Sequence, residues 1–107
     1  MDFDKIIKEL KNNLINVTKE IFFEFKNEGK KDMEAFLKSS ENKLKKWTEL
    51  LKKGDLTIDD FEWLVKSQKD LLIMNALYQT GTSKIKLGHF KNKVIKTIIK
   101  TIVTIVL

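Results

Sequence analysis

The chain contains no proline, and its only glycines in 107 residues are at positions 29, 54, 81 and 88. These two residue types cost a helix interior most, about 3 kcal/mol for proline and about 1 for glycine relative to alanine. A chain nearly free of both can run long helices. It also lacks the turn residues that an all-β domain of this length needs.

Apolar spacing supports the helical expectation. Phe3, Ile7, Leu10, Leu14, Val17 and Ile21 recur at intervals of four and three, with Phe25 following, the pattern of a narrow seam packed on another helix. Asn27 to Asp32 contains no apolar side chain and holds Gly29, which predicts a break there. A second seam runs through Leu37, Ser40, Leu44, Trp47 and Leu51, after Met33 and Phe36, and stops at Lys52, Lys53 and Gly54. Two cations and a glycine suit the negative end of a helix. Thr57 followed by Asp59 and Asp60 is the clearest helix start, because a hydroxyl caps the first amides and acids favour the positive end of the dipole. The apolar face beyond it runs through Phe61, Leu64, Val65, Leu71, Leu72 and Met74 to a pause at 79–83. Ser83 can then cap a last helix carrying Leu87, Phe90, Val94, Ile98, Ile102 and Ile105.

The glycines at 29, 54 and 81 thus cut the chain into four segments of similar length. The expected fold is all-α, a single domain with helices over about 3–27, 32–53, 57–79 and 83–105 in an antiparallel four-helix bundle of up-down-up-down order. The alternative is a long two-helix hairpin that runs through Gly29 and Gly81 and must oligomerise to cover its flanks. Leu10, Leu14, Leu44, Trp47, Leu64, Leu71, Ile98 and Ile102 are the expected core.

Charge is distributed unevenly. Residues 1–70 hold 15 Lys against 15 Asp and Glu, whereas residues 71–107 hold 6 Lys and no acid, so the formal charge of +6 belongs to the last third. On a helical wheel Lys86, Lys93, Lys96 and Lys100 project to one side and the aliphatic residues from Phe90 to Val106 to the other, the pattern of a basic amphipathic helix. These four lysines with Phe90 are the expected contact for an acidic protein or an anionic membrane surface, where each lysine is worth about 1 kcal/mol. Residues 94–107 reach only about 21 Å as a helix, short of a ~30 Å hydrocarbon core, and contain two lysines, so a spanning segment is not expected. The acidic, amphipathic N-terminus does not resemble an export signal, which leaves a cytoplasmic or membrane-peripheral location. Every basic residue is Lys. Without Arg forks to read guanine edges, sequence-specific nucleic-acid binding is not expected, although loose attraction to phosphate remains open.

Nothing in the sequence reaches a catalytic, metal or cofactor signature. Cysteine is absent and His89 is the only histidine, which removes thiolate chemistry and paired-histidine metal spacing. The acids at Asp55, Asp59, Asp60 and Glu62 fail calcium-loop spacing around Gly54, and TGTSKIKLGHF matches no phosphate-binding glycine motif. No catalytic residue, metal or cofactor is assigned. Phe22, Phe23 and Trp63 flank the seams rather than occupy them and are the expected oligomer contact. The expected function is a non-enzymatic helical interaction or assembly module that self-associates, with peripheral membrane binding and non-specific nucleic-acid binding as alternatives. The seam itself is testable: Leu44→Ala should cost about 2–5 kcal/mol in denaturant unfolding, and a parent-like midpoint would place Leu44 outside the core.

Overall fold

Asp2 starts the first helix by accepting a hydrogen bond from the Lys5 amide at 3.4 Å, and α1 then runs Phe3–Ile21. The structure, a computed structural model, describes residues 2–68 and 74–107. Among these the chain is all-helical, with α2 at Lys26–Lys53, α3 at Ile58–Lys66, α4 at Asn75–Gln79 and α5 at Lys84–Val106.

The sequence-level capping signals hold. Gly54 takes the left-handed conformation at φ +83° and closes α2 through its amide to the Leu50 and Leu51 carbonyls. Thr57 and Asp60 form a reciprocal capping box, with the Asp60 amide 3.0 Å from Thr57 Oγ1 and the Thr57 amide 3.3 Å from Asp60 Oδ2. Ser83 Oγ accepts from the Lys86 amide at 3.2 Å, and Gly81 supplies a left-handed turn just before it.

The first break differs from expectation. It falls at Phe22–Phe25, and Gly29 lies inside α2. Phe22 ends α1 because its ring is buried against Phe90, with centroids 5.0 Å apart at 80°. Tertiary burial therefore sets the turn, and the polar run from Asn27 to Lys31 belongs to the first turns of α2. Gly29 serves a different purpose there: a Cβ would run into Thr18 Cγ2 of α1. Thr18 cannot swing away freely, since it is fully buried and its Oγ1 donates to the Leu14 carbonyl at 2.9 Å.

Chain direction follows from the cross-helix pairs. Glu20 meets Lys93, Asn13 meets Thr101, and Asp2 and Ile6 share a cleft with Ile105 and Val106, so α5 runs antiparallel to α1. Thr18 touches the Gly29 position and Lys11 reaches Glu34, so α2 is antiparallel to α1 as well. The two outer long helices lie on α1 in the same direction. The molecule measures 42 × 23 × 20 Å, and α3 packs on both α2 and α5.

The third segment, expected as one helix over 57–79, is divided. Ser67 ends α3, its Oγ donating to the Leu64 carbonyl at 2.8 Å, and Gln68 Nε2 reaches the same carbonyl. With turns at 22–25, Gly54 and 80–83, the chain forms no arm of the length that the two-helix hairpin requires. The start of α4 is held from outside: both Asp32 carboxylate oxygens accept from it, one from the Ala76 amide at 2.9 Å and the other from Leu77 at 2.8 Å. Met74, at the usual capping position, is left-handed at φ 38° and makes no side-chain cap. A carboxylate of α2 takes over that task.

Of the expected core, Leu10, Leu14, Leu44, Ile98 and Ile102 are fully buried, Trp47 and Leu64 are half-buried, and Leu71 lies outside the described residues. The Gly29 contact yields a prediction opposite to helix propensity. Gly29→Ala should destabilise by about 1–3 kcal/mol through overpacking, although alanine is the better helix former. Thr18→Ser, which removes the obstructing methyl, should restore most of that loss in the double variant. Additive single and double effects in thermal or urea unfolding would mean that the two helices do not meet there.

Candidate interaction surface

Eight side chains carry the expected contacts, and the fold separates them into core and surface. Phe90 and Phe22 belong to the core, at 0% and 1% exposure. They pack on each other and present nothing to a partner, which corrects their place in the expected contact set. Most of the aliphatic face behind Phe90 is buried too, with Val94, Ile98 and Ile102 at 0%. The apolar side of α5 therefore packs into the core.

Lys86, Lys93, Lys96 and Lys100 are exposed along the opposite side of α5, but they do not form an acid-free face. Lys93 Nζ lies 3.4 Å from Glu20 Oε1 of α1. Lys100 lines a groove of about 390 Å³ between α1 and α5, together with Glu9, Asn13 and Thr97. The acids come from the solvent flank of α1, which sequence order places far from α5 and packing places beside it. Across the groove, Asn13 Nδ2 donates to Thr101 Oγ1 at 2.9 Å. The exposed Lys93–Glu20 pair contributes at most about 1 kcal/mol, but the acids of α1 divide the positive potential along the side of the molecule.

Lys86 differs from the other three. Its Nζ lies 4.9 Å from the centroid of the Phe22 ring, and Lys26 Nζ lies 4.9 Å from that of Phe23. Both cations sit over aromatic faces, a favourable arrangement for ammonium groups. They cluster at the end of the molecule where the 22–25 turn meets the start of α5.

Phe23 and Trp63, the other expected contacts, are 70% and 68% exposed. Phe23 lies in the turn and Trp63 on α3, whose Phe61 and Val65 face the core. Ile85 and Tyr78 are similarly exposed. Tyr78 is at the same end as Phe23, because α4 lies against the first turns of α2, where Asn27 and Lys31 form a cleft with Ala76 and Thr80. Ile85 lies towards this end too, next in sequence to Lys86, whose ammonium sits over Phe22.

His89 is exposed on α5. Among the described residues, no three His, Asp or Glu side chains converge as metal ligands would, and no helix is long and apolar enough to cross a membrane. In comparisons with known proteins, no family model, no curated protein and no solved structure matches the chain.

Asp32 is the structurally important residue that the spacing argument passed over. Its signal was present: it stands one turn before Phe36 on the buried stripe of α2, where an acid needs a partner. The division between core and surface phenylalanines gives a direct test. Phe90→Ala should lower stability by about 3–5 kcal/mol, while Phe23→Ala should change it by less than about 0.5. Equal effects in chemical denaturation would show that the two rings share one environment.

Proposed function

We propose that this protein is a non-enzymatic helical interaction or assembly module that self-associates, built as an antiparallel bundle in which α3 and α4 together fill the third position. One observation carries the reading: the core is closed, yet Phe23, Trp63, Tyr78 and Ile85 remain 61–76% exposed. Single exposed apolar residues are ordinary on protein surfaces. Three large aromatic rings and an isoleucine left out of a 107-residue chain are more than solubility favours. Tryptophan is also among the residues that most often dominate protein interfaces, and Trp63 projects from the side of α3 opposite the buried Phe61 and Val65.

The acid-free segment 71–107, with its six lysines, favours a second reading as a peripheral binder of an anionic membrane surface. Because the apolar face of α5 is spent on the core, that binding uses parts of the chain outside this face. Loose nucleic-acid binding through the same lysines would depend strongly on salt. A cytoplasmic, membrane-peripheral location accords with these proposals.

Self-association is tested by light scattering during size-exclusion chromatography over about a hundredfold dilution. The expected mass exceeds the 12.6 kDa of one chain at the highest concentration and falls towards it on dilution, while Trp63→Glu remains at one chain throughout. A parent mass of one chain across the whole range would overturn self-association.

A further inference from the structure

We propose that the end of the molecule formed by the 22–25 turn, α4 and the first turn of α5 docks onto an anionic lipid bilayer. Phe23, Tyr78 and Ile85 would enter the interface, and Lys26, Lys84 and Lys86 would lie among the headgroups. The proposal rests on the second reading above, of the chain as a peripheral binder of an anionic membrane surface, and not on self-association.

Three observations point to this occupant. The first is composition at the tip: three large apolar side chains at 61–76% exposure come from three separate elements that lie towards one end of a molecule only 23 × 20 Å across. Rings and aliphatic chains surrounded by lysines suit the boundary between headgroups and acyl chains. The second is rigidity, because Phe22 beneath the turn is locked edge-to-face on Phe90, so Phe23 and Ile85 are presented by a packed base. The third is charge. Lys26 and Lys86 rest on the Phe23 and Phe22 rings, Lys84 opens α5, and segment 71–107 brings no acid to this end. The acids at this end are Glu24 in the turn itself, Glu28 in the first turn of α2, and Glu20 of α1, which Lys93 holds; Lys26, Lys84 and Lys86 outnumber Glu24 and Glu28.

A nucleic acid fits this distribution less well. An extended polyanion would track the long side of the molecule, where Glu9, Glu20 and Glu34 alternate with the lysines of α1, α2 and α5. A bilayer needs only the tip. Lysine without arginine also suits diffuse attraction to a charged leaflet better than bidentate recognition of single phosphates.

The test is flotation with vesicles of phosphatidylcholine alone or with about 30% phosphatidylserine, at low and raised salt. The parent is expected to float with the anionic vesicles, to remain in solution with the neutral ones, and to be released as salt rises. Phe23→Ser with Ile85→Ser should weaken binding by about tenfold or more, as should Lys84→Gln with Lys86→Gln. Each pair should retain the parent's helical circular dichroism, and Trp63→Glu should still float. A parent that ignores anionic vesicles would overturn the proposal. So would tip variants that float like the parent, or a single-stranded oligonucleotide that binds parent and Phe23→Ser/Ile85→Ser equally and displaces both from vesicles. Loss of self-association in Trp63→Glu without loss of flotation would support docking as a separate property.

Discussion

The contact between Phe22 and Phe90 joins three elements of this molecule, the end of α1, the 22–25 turn and α5. By burying Phe22 it ends α1 at Ile21, eight residues before Gly29, and it brings the start of α5 to the junction of α1 and α2. Edge-to-face rings contribute about 0.5–1.5 kcal/mol beyond the area they bury. Their positional effect is larger. With Phe22 turned inward, its neighbour Phe23 is turned outward, and Lys86 comes to rest over the Phe22 ring beside the exposed Ile85. A core interaction thereby determines which groups the end of the molecule presents.

Two further contacts set the spacing of the elements around this junction. The missing Cβ of Gly29 lets α1 and α2 approach at Thr18. One turn later, Asp32 reaches the amides of Ala76 and Leu77 and joins α4 to α2. A helix of five residues has too few internal hydrogen bonds to persist alone, so α4 depends on this carboxylate and on the buried Leu77. Asp32 and Gly29 together give the first turns of α2 a role in placing neighbours on both sides.

Local chemistry made much of the fold legible. The cap at Thr57, the glycine stop at Gly54 and the cap at Ser83 work through residues within four positions, so sequence reading finds them. The seams through Leu10, Leu14, Leu44, Ile98 and Ile102 were equally clear because periodicity needs no partner. The turn at 22–25 was not clear: nothing near Phe22 shows that Phe90, far along the chain, will bury it. The acids beside the basic face are hidden from the sequence for the same reason, since Glu9 and Glu20 are remote from Lys93 and Lys100 until α1 and α5 pack. Phe23 and Trp63 were identified by falling beside the seam, and both are exposed. Phe22 shares that position in the pattern but is buried, because off-seam placement reports direction on one helix and ignores what the next helix covers.

Among the described residues α1 packs against both α2 and α5, and α5 is the helix farthest from it in sequence. During synthesis, the seam of α1 can meet α2 as soon as α2 has been made, but the surface bearing Asn13 waits for α5. Bringing α1 and α5 together closes a loop through most of the chain, and such non-local contacts form late. Until then the nascent chain exposes the part of its core that Val94, Ile98 and Ile102 will cover. The interval between completion of α3 and docking of α5 is therefore its period of greatest exposure to chaperones and to aggregation.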